Sequence, residues 1–82
     1  MQEKYKNVFP SRLRKLIDDR GTTITALSKE LKISRQAVSQ YADGTGQPNV
    51  EKLRAIACYF DVSTDYLVGL SDYEKHSTGE LT

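Results

Sequence analysis

Arg35, Gln36, Ser39 and Gln40 fall at i, i+1, i+4 and i+5, so one face of a helix would carry all four. Their chemistry suits recognition rather than turnover. An arginine fork pairs with guanine O6 and N7, a glutamine amide with adenine N6 and N7, and a serine hydroxyl is less selective. Ala37, Val38 and Tyr41 fall on the opposite face and supply the side that packs inward. Catalytic sets are missing by contrast. The single histidine, His76, stands in a polar tail, no glycine-rich phosphate loop exists, and Asp18-Asp19 is an acidic pair at a helix end. One histidine and one distant cysteine, Cys58, make no metal site. The reading is a binding protein with no catalytic residue, no cofactor and no metal.

Those four side chains need a helix held at the surface, and the flanking sequence provides one. Thr23 is an N-cap residue for a preceding helix whose Leu27 and Leu31 share a face with the small Ser28. Lys32-Ile33-Ser34 then forms a tight turn, in which Lys32 must tolerate a left-handed backbone at a cost on the order of 1 kcal/mol. Ile33 points inward, and Ser34 caps the next helix, which spans about residues 34–42 and stops at Asp43-Gly44.

Further elements surround this pair. A first helix runs from about Val8 or Phe9 to Asp19, with Pro10 in its first turn and Phe9, Leu13, Leu16 and Ile17 as its stripe; Gly21 ends it. Thr45-Gly46-Gln47-Pro48 reads as a loop, and Asn49 caps a fourth helix. Val50, Leu53, Ile56, Ala57 and Phe60 give that helix its apolar stripe, and Cys58 reads as a small packing residue. Ser63 caps a short fifth helix docked by Tyr66 and Leu67 and ended by Gly69. Tyr41 and Tyr66 read as packing residues, whereas Tyr59 and Tyr73 are surface aromatics open to a dimer contact. No strand alternation survives. The expected fold is all-α, a compact bundle of five short helices, with an N-terminal arm at 1–7, the domain at 8–70 and a frayed polar tail at 71–82.

Totals narrow the class. Eighty-two residues make one small domain with a marginal core. No apolar run approaches the roughly 20 residues of a membrane span, and no leader-like apolar stretch opens the chain. A lone cysteine fits a reducing compartment, so a cytoplasmic location is expected. The net charge of +1 hides a polarity. From Lys4 to Arg35 nine bases face three acids, a net +6, whereas from Gln36 to Thr82 three bases face seven acids, a net −4. Such a chain can present a basic face to phosphate.

Three blocks now carry a family resemblance. They are Thr25-Ala-Leu-Ser-Lys-Glu-Leu with Ile33-Ser-Arg-Gln-Ala-Val-Ser, then Asp43-Gly-Thr-Gly-Gln-Pro-Asn, then Leu53-Arg-Ala-Ile-Ala-Cys-Tyr-Phe-Asp-Val-Ser-Thr-Asp-Tyr-Leu-Val-Gly. Together, over about residues 8–70, they resemble the lambda-repressor-like, or Cro/Xre-type, helix-turn-helix domain of phage and bacterial regulators. The resemblance implies binding to a double-stranded DNA operator, often palindromic, by a homodimer, in phage-type or mobile-element repression. It puts Arg35, Gln36 and Gln40 in base-reading places and makes Ser39 a base or phosphate contact. Thr23, Ser34 and the loop residues Thr45, Gln47 and Asn49 match backbone-contacting places. Two positions depart from the family pattern. Ile24 stands where relatives often carry glutamine, and Gln47 where a base is common; Arg12, Arg14 and Lys15 on the first helix are candidates to compensate. The alternative on the same fold is an antitoxin-like or regulatory subunit that meets a protein through its fourth and fifth helices and tail.

Overall fold

The computed structural model describes residues 8–74. The expected arm at 1–7, and residues 75–82 of the expected tail with His76, lie outside the described residues. Among the described residues five helices follow one another: α1 Phe9–Asp19, α2 Ile24–Leu31, α3 Arg35–Asp43, α4 Val50–Phe60 and α5 Thr64–Val68. The described residues form no strand. No described helix is long and apolar enough to cross a membrane.

Each helix starts for a reason written in its sequence. Thr23, Ser34, Asn49 and Ser63 have extended backbones, and each side-chain oxygen accepts the N–H three residues on, from Ala26, Ala37, Lys52 and Tyr66. α1 has no such cap; Pro10 in its first turn removes a donor that would lack a partner. Helix ends are as regular. Lys32, Gly44, Asp61 and Gly69 all take left-handed conformations, at φ 60°, 87°, 58° and 89°.

α1 packs on α3 and α5, α2 on α3 and α4, and α4 on α5. Their inward stripes meet in one core: Phe9, Leu13, Leu16, Leu27, Leu31, Val38, Ala42, Ile56, Ala57, Phe60, Val62, Tyr66 and Leu67. Ser28 is buried among them, and its hydroxyl donates back to the Thr25 carbonyl. The small side chain therefore costs the α2 interface neither space nor an unpaired donor. Phe9 and Tyr41 meet edge to face, their centroids 6.4 Å apart.

Three expectations need correction. Val50 sits on the apolar period of α4 but is 72% exposed, because it is the first residue of the helix and the core does not extend over that end. Cys58 is exposed rather than packed; its spacing from Glu51, Arg54 and Ala55 puts it on the outward face of α4. Ser71–Glu74 is not frayed. Arg12 donates to the Ser71 carbonyl and pairs with Asp72, Arg20 pairs with Glu74, and the Ser63 N–H donates to the Glu74 carbonyl. The segment is a strap across α1 and the start of α5.

Candidate nucleic-acid interface

α3 owes its exposed position to the turns at its two ends. Before it, Lys32 is left-handed, the Ile33 N–H reaches the Ser28 carbonyl, and Ile33 packs against the core. The turn delivers Ser34 in extended form, ready to cap. Beyond it, Gly44 takes the left-handed turn. Val38 and Ala42 are buried, with Ala37 and Tyr41 half-buried beside them. The inner face therefore runs one residue further than expected, to Ala42. Arg35, Gln36, Ser39 and Gln40 are all exposed on the other face.

Ser34, Arg35, Gln36 and Ser39 line an open groove of about 560 Å³, whose other wall is Ile24 and Thr25 at the start of α2. Ile24, expected as the position that lacks a polar contact, is half-buried against the core and adds an apolar edge to this groove. Gln40 lies one turn on, where the loop after α3 folds back beside it. The Gln40 carbonyl accepts three N–H groups, from Gly44, Thr45 and Gly46, at 3.0, 3.0 and 3.1 Å.

The expected phosphate-contacting residues separate into three groups once their donors are counted, because a phosphate oxygen only accepts. Thr23 and Ser34 accept the cap hydrogen bond and keep their own hydroxyl hydrogen; Asn49 accepts through Oδ1 and keeps its NH₂. Thr45 engages its donors within its own loop. Its hydroxyl donates to Asp43 Oδ1 at 2.6 Å, and its N–H serves Asp43 and the Gln40 carbonyl, so no donor is left for a phosphate. Those two bonds from Thr45, hydroxyl first, hold the Asp43 carboxyl below the usual carboxylate range, aided by the charge of Arg14. Gln47 is exposed, but it lines a separate small cleft with Phe9, Pro48, Leu53 and Val68.

The three bases of α1 also diverge. Arg12 is engaged within its own chain. Its guanidinium donates to the carbonyls of Tyr66 and Ser71, pairs with Asp72 at 3.2 Å and lies 4.3 Å from the Tyr66 ring centroid. It is a clasp inside the fold and not a spare surface charge. Arg14 reaches α3 and donates to the Ala42 carbonyl, which completes the helix end; the rest of its exposed guanidinium remains available. Lys15 pairs with Asp19 at 2.7 Å, and that hydrogen bond, then the carboxylate's charge, raises its pKa. Sequence reasoning missed Arg20, which donates to the Phe60 carbonyl and pairs with Glu74. Its partners are 40 and 54 residues away, beyond any local pattern. Among the described residues no group of three His, Cys, Asp or Glu side chains gathers to hold a metal.

This chain belongs to the helix-turn-helix family, in its Cro/Xre-type branch: the family model matches residues 13–67. It is 35% identical over 60 residues to the HTH-type transcriptional activator BcrR of Enterococcus faecalis, a match covering 73% of this chain and 29% of that one. It is 31% identical over 65 residues to the uncharacterized HTH-type transcriptional regulator YobD of Bacillus subtilis (strain 168), covering 79% and 58%. The chain thus spans less than two thirds of either curated relative. Among solved structures, a transcriptional regulator from Listeria innocua superposes with a TM-score of 0.76 at 29% identity, covering 93% of this chain and 70% of that one. The N-terminal DNA binding domain of SinR from Bacillus subtilis shares the fold at 16% identity, with a TM-score of 0.67 over 73% of this chain and 88% of the other.

Proposed function

We propose that this chain binds a particular double-stranded DNA sequence as a transcriptional regulator, and most simply as a repressor acting as a homodimer on a palindromic operator. One observation carries the reading. A helix with its inner face buried turns Arg35, Gln36, Ser39 and Gln40 to solvent beside an open groove. Side chains of those types, on a helix that enters the major groove, read base edges. Relatives named as transcriptional regulators support the same function. Repression is the economical form, since occupying an operator across a promoter is enough to block polymerase. Control of a phage or mobile element, in the cytoplasm, goes with it.

Arg35, Gln36 and Gln40 then read bases, and Ser39 reads a base or steadies a phosphate. The hydroxyl hydrogens of Thr23 and Ser34, the Asn49 amide and the free side of Arg14 are the backbone donors. Two copies would set their α3 helices about 34 Å apart, one turn of DNA. Selection of random DNA by the purified protein tests the reading and should enrich a two-fold motif. Gln36→Ala should relax one base-pair position per half-site, weakening the preferred base by roughly tenfold. A pool with no enrichment would refute it. A stoichiometric protein partner, captured with no DNA shift, would favour the antitoxin-like alternative, whose surface near α5 offers the exposed Val68, Leu70 and Tyr73.

A further inference from the structure

We propose that Gly46, which has no side chain to touch a base, sets the base preference of Gln40. The inference rests on the DNA-binding reading above and names a positioning residue within it. After α3 the chain does not lead away from the helix. The N–H groups of Gly44, Thr45 and Gly46 converge on the Gln40 carbonyl, and two hydrogen bonds from Thr45 to Asp43 Oδ1 latch the same turn. The loop backbone is thereby held against the Gln40 side chain. A Cβ placed on Gly46 would lie 3.1 Å from Gln40 Cβ and 3.4 Å from its Oε1. The first distance is tighter than real Cβ contacts normally allow.

Space rather than backbone shape calls for glycine here. Among the described residues the left-handed glycines are Gly21, Gly44 and Gly69, and Gly46 is not one of them. Alanine at 46 therefore meets no conformational penalty and only one steric conflict. The helix fixes Gln40 Cβ, so the loop itself must shift by a few tenths of an ångström against its three N–H bonds, and that shift moves the surface on which the Gln40 amide rests. A glutamine pairs bidentately with adenine only when its amide plane faces N6 and N7. The bare backbone at 46 is thus a wall that aims the amide, and the loop transmits its own position to one base of the operator.

The test is DNA selection with the wild-type protein, Gly46→Ala, Gln40→Ala and the double variant. Gly46→Ala should keep its melting temperature and most of the motif, while preference at a single step per half-site falls about tenfold. Gln40→Ala should lose that same step, and the double variant should lose no more. An unchanged Gly46→Ala motif would overturn the proposal. So would a uniform loss at every position with a shallower salt dependence, because the loop would then act through phosphate. If Gly46→Ala fails to fold, nuclear Overhauser contacts in the wild-type protein decide. Cross-peaks between Gly46 Hα and the Gln40 side-chain amide support the wall, and their absence overturns it. A wild-type protein that enriches no motif refutes DNA reading itself, whereas an enriched motif indifferent to position 46 refutes only the role of Gly46.

Discussion

Arg12 spends its charge on carbonyl oxygens of its own chain. Two carbonyls, one carboxylate and one aromatic face share a guanidinium whose side chain is only 20% exposed. Hydrogen bonds from a charged donor contribute about 1.5–3 kcal/mol each, whereas the pair with the 92% exposed Asp72 adds little. Arg12→Ala should therefore lower unfolding free energy by about 2 kcal/mol in urea titrations, and Arg12→Lys should recover less than half, since a point charge cannot serve two carbonyls and a ring together. Asp43 gives a test at the same scale. Its folded pKa is depressed, chiefly by the Thr45 hydroxyl. Its stabilising contribution is thus present above the unfolded carboxylate value and is lost as pH falls through the lower folded one. Thr45→Val removes the hydroxyl bond and keeps the amide bond. The Asp43 carbon-13 titration midpoint should then rise toward the ordinary value. From sequence both Thr45 and Arg12 look like free polar groups: the partners of Arg12 lie 54 to 60 residues away, and the local bond from Thr45 to Asp43 depends on the left-handed turn at Gly44. Arg35, Gln36 and Gln40 were legible as a face because helical periodicity alone assigns it.

Two turns in this chain use one device. Lys32-Ile33-Ser34 and Asp61-Val62-Ser63 each place a left-handed residue, an apolar residue that packs inward, and a serine cap in extended form. In both, the apolar residue's N–H reaches five residues back, from Ile33 to Ser28 and from Val62 to Ala57. The turn thus satisfies a free carbonyl of the ending helix, docks its anchor and starts the next helix within three residues. Ser34 and Ser63 were legible as caps and Lys32 as a turn residue. Asp61 was not, because aspartate also reads as an ordinary loop residue and only the backbone reveals the repeat. Neither left-handed residue is glycine, so both sites carry strain. Lys32→Gly should relieve it and raise stability by about 0.5–1 kcal/mol in chemical denaturation, less what the more flexible unfolded chain gains. A loss of stability instead would mean that the lysine side chain contributes more than its backbone costs.

At the scale of the molecule, the charge polarity along the sequence turns into internal pairing. The basic first half and the acidic second half meet where Arg12 joins Asp72 and Arg20 joins Glu74 across 60 and 54 residues. The strap thereby neutralises bases that a linear count assigns to a DNA-facing surface. The sequence polarity correctly located the bases but not their partners, because a count along the chain carries no distances. If the proposed DNA contact is right, salt dependence should separate the two kinds of base. Each phosphate neutralised adds about 0.9 to the magnitude of the slope of log affinity against log salt. Arg35→Ala removes a base reader beside the phosphates and should flatten the slope or cost selectivity at one step. Arg20→Gln, checked for folding by its melting curve, should leave both slope and motif unchanged, since that guanidinium is held by Phe60 and Glu74. Arg12→Gln should behave like Arg20→Gln at temperatures where it remains folded. A slope that drops by about one unit for Arg12→Gln would return that residue to the DNA surface and would require the clasp to open on binding.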